Sequence, residues 1–236
     1  GTAGFLHTGN SGTILLSGNN NGLSGDVIRT NGNFAVGSDS AFGTGRVLSN
    51  AGFITTYGGK RTLNNEFLLN GNVTFGFIGG NNTAGTGALG GGGNDLTFTG
   101  PVNLTTGGTF QPSVPFAAQL EFAGGLGETL GGVALRKLGF GTMILSSVTT
   151  LSGLFEIGQD FGGTPGTRLN GGTVVLRDNG TYLNASSFVI GYGGVLQVDN
   201  SGLVKSDRLA DATLIDLFGG TVALVGKAGG TTGETM

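Results

Sequence analysis

The sequence predicts an all-β chain wound as a right-handed, single-stranded parallel β-helix with coils of about 20 residues. Three observations predict it. Gly makes up 52 of the 236 residues and falls at regular positions. Apolar residues come in short runs between Gly or Asn, the punctuation of strands. Two such runs recur together at one interval.

The interval is clearest between residues 12 and 75. A first run recurs as Gly12-Thr13-Ile14-Leu15-Leu16, Gly32-Asn33-Phe34-Ala35-Val36, Gly52-Phe53-Ile54-Thr55-Thr56 and Gly71-Asn72-Val73-Thr74-Phe75, with Gly steps of 20, 20 and 19. A second run keeps phase as Val27-Ile28, Val47-Leu48 and Phe67-Leu68, with steps of 20 and 20. Two runs in fixed phase describe a solenoid, whose single coils bury nothing until they stack. A constant coil of this length would give ~12 coils and a rod of ~55 Å at the strand spacing of a sheet. Gly and Asn suit the turns because both tolerate positive φ. Asn31, Asn50 and Asn70 are placed to stack as a side-chain ladder, and Phe34, Phe53 and Val73 or Phe75 to stack inside.

The chain therefore divides into regular coils at 5–80, a Gly-rich loop at 81–94, further coils at 95–226 and a polar tail at 227–236. Strands resume at Leu96-Thr97-Phe98-Thr99 and Val102-Asn103-Leu104, and Pro101, Pro112 and Pro115 mark corners. Gly172, Gly194 and Gly220 open later strands at steps of 22 and 26, a wider coil.

Composition excludes several classes. Net charge is −3 and 37% of residues are apolar, which disfavours disorder. The Gly positions lack the triplet period of collagen. No apolar run is long enough for a membrane-spanning helix, so membrane insertion by this chain is not expected. Slight acidity disfavours nucleic acid. There is no Cys, which fits export without disulfides. The chain opens on Gly1 without a charged leader or cleavage site, and so reads as a processed product or a piece of a longer one.

A larger repeat sits above the coil. Leu6 to Ser17, followed by Leu23-Ser24-Gly25, is echoed by Lys137-Leu138-Gly139-Phe140-Gly141-Thr142-Met143-Ile144-Leu145-Ser146, followed by Leu151-Ser152-Gly153. This Lys-x-Gly-x-Gly-Thr pattern resembles the passenger-associated-strand repeat of bacterial autotransporters and related giant surface proteins. The first copy departs from it in lacking the Lys. Gly37 to Gly45 and Arg61 to Asn65 resemble the links between such repeats. The resemblance implies a β-helix exported and displayed on a cell surface. Autotransporters also carry a C-terminal membrane barrel, and the tail from Lys227 to Met236 does not resemble barrel strands.

Candidate chemistry is sparse. His7 is the sole histidine, so a Ser-His-Asp triad would need it; a turn position accounts for it. Gly90 to Asp95 matches the start of a calcium-binding nonapeptide, which makes Asp95 a weak metal candidate, although the expected apolar residue after it is Thr97. A polysaccharide lyase or hydrolase would need converging acids and bases. Those on offer are Asp207, Asp211 and Asp216 near Lys205 and Arg208, or Glu156 and Asp160. Sugar-stacking aromatics are limited to Tyr57, Tyr182 and Tyr192, with no Trp. Asn72, Asn81, Asn103, Asn179 and Asn184 open N-x-S/T triplets, which an Asn- and Thr-rich chain yields by chance.

No catalytic residue and no cofactor is therefore expected. The expected role is a structural or adhesive β-helical module, extracellular or on a bacterial cell surface. It would act as a stiff spacer or as a subunit of a fibre or layer. A carbohydrate-active β-helix and a calcium-dependent secreted module are the alternatives. Expected partners are other copies or neighbouring modules through the end coils, and surface glycans or host or cell-surface proteins.

Overall fold

The computed structural model describes residues 3–9, 12–70, 73–75 (backbone alone), 95–158, 171–231 and 233–234. Every element among them is a strand. The first coil holds β1 (Phe5–His7) and β2 (Thr13–Leu16); the second holds β3 (Val27–Arg29) and β4 (Asn33–Val36). A third strand per coil appears with β5 (Val47–Ser49), β6 (Gly52–Thr56) and β7 (Arg61–Leu63). The next coils are β8 (Phe67–Leu69), β9 (Val73–Phe75), β10 (Leu96–Phe98); then β11 (Val102–Leu104), β12 (Thr109–Phe110), β13 (Gln119–Phe122). They continue as β14 (Leu126–Glu128), β15 (Ala134–Lys137), β16 (Thr142–Leu145); then β17 (Val148–Thr149), β18 (Leu154–Ile157), β19 (Gly172–Leu176). β20 (Thr181–Tyr182), β21 (Ser187–Ile190) and β22 (Gly194–Asp199) precede the closing β23 (Ile215–Leu217) and β24 (Thr221–Val225).

Strands pair in parallel with their counterparts one coil away, which makes a β-solenoid. The first sheet runs β1-β3-β5-β8-β11-β14-β17-β20. The second sheet runs β2-β4-β6-β9, and a third, β12-β15-β18-β21-β23, takes the same place in the coil order. The fourth runs β7-β10-β13-β16-β19-β22-β24.

The register tests the expected period. Val27 pairs with Val47 and Val47 with Phe67, which is the 20-residue step read from the sequence. Phe67 then pairs with Val102 and Thr149 with Tyr182, because residues 76–94 and 159–170 intervene. The stack consequently has about eight turns averaging ~24 residues, and a height of ~40 Å at the spacing of paired strands, not twelve turns. The Gly-rich loop at 81–94 lies outside the described residues. Gly172 pairs with Gly194 as its sequence spacing implies.

Two stacking expectations are corrected. Phe53 is aligned with Asn33 on the outer side, because the inward column is Ile14, Phe34 and Ile54. Asn50 follows Thr30 and precedes Asn70 in register, so Asn31 sits one residue out of the proposed ladder. The Asn31 side chain instead accepts the N–H of Gly32 at 2.8 Å.

Inward side chains fill the tube. Phe34, Phe42, Phe67, Phe98 and Phe122 form an aromatic spine with successive centroids 5.2, 5.8, 4.8 and 5.6 Å apart. Most of these pairs are edge-to-face, the arrangement ring quadrupoles favour. Phe42 comes from the link Gly37 to Gly45, which is thus a core plug as well as a turn. A second group, Phe155, Tyr182 and Phe188, fills the later coils.

One corner fixes residue choice by contact. Gly25, Gly45, Asn65, Gly100 and Gly124 each lie two residues before a first-sheet strand. A Cβ on Gly45 would meet the Gly25 carbonyl at 2.0 Å, and one on Gly124 the Gly100 carbonyl at 2.3 Å. At the glycines a side chain is excluded by the coil below, whereas Asn65 turns its amide onto the Gly43 and Gly45 carbonyls. Gly45→Ala is expected to destabilise the protein by about 1–3 kcal/mol through overpacking. Gly107→Ala, where a Cβ meets nothing within 4 Å, should leave the midpoint unchanged or slightly raised. Urea unfolding of both variants checks the pair.

Candidate functional site

The most unusual chemistry in the molecule is a set of buried cations. Arg29, Lys137 and Arg208 are fully buried. Arg29 follows from strand alternation: Val27 points in, Ile28 out and Arg29 in. Its Nε donates to Ser49 Oγ at 2.9 Å, and its Nη1 donates to the carbonyls of Gly32 and Phe53. Nη2 donates to Ser49 Oγ as well. The guanidinium lies 5.1 Å from the Phe34 ring centroid, a cation–π distance. Burial pushes its pKa down to about 10.

Lys137 closes β15 with an inward side chain. Nζ donates to the carbonyls of Gly139 at 2.8 Å and Gly171 at 2.7 Å. Gly139 lies just beyond it in the chain, and Gly171 lies in the next coil, directly before β19. This is the physical content of the Lys-x-Gly-x-Gly-Thr pattern: the Lys holds two corner carbonyls that the turning chain would otherwise bury unpaired. Burial pushes the ammonium down to about 7.

Arg208 was expected among groove acids and bases, but it turns inward. Nε donates to Asn200 Oδ1 at 2.8 Å, Nη1 to the Gly180 carbonyl at 2.7 Å and Nη2 to the Leu203 carbonyl at 2.8 Å. Burial is the largest influence on it and lowers its pKa. All three cations serve carbonyls or neutral oxygens with their side-chain donors. Asn65 does the same work without charge, donating to the carbonyls of Gly43 and Gly45 at 3.1 and 2.7 Å.

The sequence-predicted acids do not converge. Asp207 and Asp211 are exposed, and Asp207 accepts from Ser206 at 3.1 Å. Lys205 reaches the Asn179 carbonyl at 3.4 Å. Asp216 occupies the outward position of β23, in register with Val189. Glu156 forms an ion pair with Arg136 of the preceding coil at 2.6 Å, and Asp160 lies outside the described residues. Asp95 accepts the Gln119 N–H at 2.9 Å and its carbonyl accepts the Arg61 N–H at 2.8 Å. It therefore ties the coils on both sides; Gly90 to Asn94 lie outside the described residues. No group of three metal-ligating side chains occurs among the described residues.

His7 sits in β1 beside Phe34, with ring centroids 5.9 Å apart, and its Nδ1 accepts the Gly9 N–H at 3.4 Å. Tyr57 and Tyr192 are exposed, whereas Tyr182 is buried in the core. Burial pushes the Tyr182 phenol up, and the charge of Glu128 adds to it. Its hydroxyl has no hydrogen-bond partner among the described residues. Of the N-x-S/T sites, Asn179 and Asn184 are exposed, Asn103 is half-buried and Asn72 and Asn81 lie outside the described residues. A depression bounded by Leu69, Leu104, Phe110 and Val133 is lined by no acid or base.

The two copies of the larger repeat lie at different corners. His7 leads from the first sheet into the second, whereas Lys137 leads from the third into the fourth. The two copies share a sequence pattern, and its place in the coil differs. Comparison with known proteins gives no match: no family model, curated protein or solved structure is significantly similar to the chain.

Two outcomes are expected. The unfolded Lys137 keeps the ordinary lysine pKa of 10.5, while burial lowers the folded one to about 7. Between these values the unfolded chain binds the extra proton, so stability rises with pH across that window. Below pH 7 the cost of the buried charge is fully present. A neutral amine still has two N–H groups for its two carbonyls. Urea unfolding at pH 6.5, 8 and 9.5 should show the native protein gaining stability relative to Lys137→Met. Tyr182→Phe removes a buried unpaired hydroxyl and should hold or raise the melting temperature, by up to about 1 kcal/mol of stability.

Proposed function

We propose that the chain is a structural, adhesive β-helical module of a bacterial cell-surface or secreted protein, working as a stiff spacer or a subunit of an extracellular fibre or layer. The observation that carries this reading is the use to which the charged side chains are put. They tie coil to coil. Asp26 and Arg46 face each other across 20 residues, with contacts of 3.1 and 2.8 Å. That pairing holds the Asp26 carboxyl below its usual range. Arg136 and Glu156 repeat the arrangement. Glu121 accepts from Ser146 at 2.7 Å and from Arg177 at 3.0 Å, two coils further on. Glu128 accepts the N–H groups of Val133 and Ser152 at 2.7 and 2.8 Å.

Each carboxylate used in this way supports the scaffold and is unavailable as a free general acid or base. Parallel backbone pairing along the stack adds stiffness, and loops leaving the corners are the parts free to meet surface glycans or cell-surface proteins. The resemblance of Lys137 to Ser146 to passenger repeats and the lack of Cys support an extracellular place. A Cys introduced at exposed Leu130 offers the test, because the chain has no other thiol. In the full-length protein on its own intact cells, or in their medium, a membrane-impermeant maleimide should label that Cys. Labelling only after lysis would overturn the reading.

A further inference from the structure

Aromatic side chains divide between the core and one corner. Among the described residues, every exposed ring stands in the connection from the second or third sheet to the fourth. These are Tyr57 at 38%, Phe116 at 72%, Phe140 at 50% and Tyr192 at 52%, with Phe218 of the last coil. All other described rings are buried or half-buried. Single exposed apolar residues need no explanation. Exposed Leu130, Leu183 and Leu203 are spread over the other two corners, whereas the exposed rings keep to one.

The backbone marks these positions as well. Each ring adjoins a residue of positive φ: Gly58 (70°) follows Tyr57, Ala117 (61°) follows Phe116, Gly139 (81°) precedes Phe140 and Gly193 (67°) follows Tyr192. Ala117 carries a Cβ, and such residues hold this conformation only where their surroundings impose it. Gly on both sides of Phe140 and of Tyr192 leaves no side chain beside the ring along the chain. Lys137 pins the corner from inside through the Gly139 and Gly171 carbonyls, so the rings are placed before any ligand arrives.

Phe116 and Phe140 lie on successive coils. The Gly141 N–H donates to the Val114 carbonyl at 2.9 Å and the Thr142 N–H to the Ala118 carbonyl at 3.0 Å. These adjacent bonds set Phe140 beside the short bulge that carries Phe116. The two rings are thus offered one coil apart, ~4.8 Å along the stack. Tyr192 follows two coils beyond Phe140. Next to them, Gln119, Thr142 and Thr173 share one register at the start of the fourth sheet, and none is buried. Residues 111–118, 138–141 and 191–193 contain no Asp, Glu, Lys or Arg.

A file of rings beside a file of hydroxyl and amide groups, without charge, matches one ligand chemistry. The C–H face of a pyranose is apolar and packs on an aromatic face, while the hydroxyls at its rim need neutral donors and acceptors. An extended glycan repeats both demands at every sugar, with a rise close to that of one coil. A protein partner fits less well. Three half-exposed rings offer ~300 Å² of surface, well under the ~800 Å² that each side of a standard protein interface buries. No Arg, a residue such interfaces favour, accompanies them.

We propose that this corner binds a neutral, extended glycan, with Phe116 and Phe140 as stacking platforms for neighbouring sugars, Tyr192 as a third platform further along, and Gln119, Thr142 and Thr173 bonding the hydroxyls. The site rests on the reading of the chain as a surface module and gives that module its ligand.

Purified chain answers this without reference to cell location, so a failure here leaves the maleimide result standing. Saturation-transfer NMR screens cellohexaose, xylohexaose, mannohexaose and chitohexaose, with oligogalacturonate as the charged control, and titration gives Kd for those that bind. At least one neutral hexasaccharide should bind, and more tightly than oligogalacturonate. Phe116→Ala and Phe140→Ala should each weaken it by about tenfold, and Tyr192→Ala by less. Phe140→Tyr keeps a ring and should keep the affinity. Phe140→Leu keeps only apolar bulk and should lose as much as Phe140→Ala. Leu130→Ala, at another corner, should change nothing. All the replaced side chains are exposed, and melting temperatures within a few degrees of the native value confirm that the variants fold. A native chain that binds none of the neutral hexasaccharides would overturn the proposal. So would tighter binding of oligogalacturonate, affinity indifferent to loss of the rings, or a Leu that replaces Phe140 without loss.

Discussion

Everything in this fold depends on what happens where the chain turns. A strand in a parallel stack gives both its backbone groups to neighbours, but a corner residue cannot. Its carbonyl faces either the dry tube or the coil beside it, and a buried carbonyl without a donor costs about 1–3 kcal/mol. The molecule answers at some corners by close approach, with Gly100 and Gly124 lying where no Cβ fits. At other corners a donor is sent in from the wall. Lys137, Arg208 and Asn65 are those donors. A buried cation opposite a carboxylate would be weak evidence for stability. Here the side-chain bonds of Lys137 go to carbonyls, so the relevant cost is that of leaving those carbonyls empty.

The same constraint governs how much of the fold could be read in advance. Backbone pairing forces partners to share a phase, so the 20-residue step between Val27, Val47 and Phe67 appears in the letters and in the register alike. Which face a residue takes was harder. Gly52-Phe53-Ile54 holds two apolar residues where one is inward, and size favoured Phe53. Ile54 is inward because Ile14 and Phe34 set the column. The Asn ladder lost one rung for a related reason: Asn50 and Asn70 share a register, but Asn31 is one residue away from it, and one residue reverses the face.

The interior chemistry was legible in part. Arg29 stands at the third position of a strand whose first residue is inward, so alternation alone places it inside. An expectation that charge belongs outside hid it. Lys137 was visible as part of a motif, but the second carbonyl it serves, on Gly171, is 34 residues away and no local pattern connects them. Arg208 was grouped with nearby acids by proximity in sequence. In space Asn200, Leu203 and Gly180 surround it, which only the winding of the coil determines.

Insertion sites follow from the corner argument too. Two long connections, between β9 and β10 and between β18 and β19, fall at the same corner of the coil order. Lengthening the chain there leaves phase on the first sheet intact, provided the strand that follows is brought back to its rung. After the first insertion Asp95 does this: its carbonyl accepts from Arg61 on one coil and its carboxylate from Gln119 on the next. After the second, the Gly171 carbonyl accepts from Lys137, and a Cβ on Gly172 would meet the Gly141 carbonyl at 2.4 Å. Each re-entry point is thus held by contacts to neighbouring coils. With clamps of this kind the stacked strands keep their register on both sides of a corner at which the length of intervening chain varies from coil to coil.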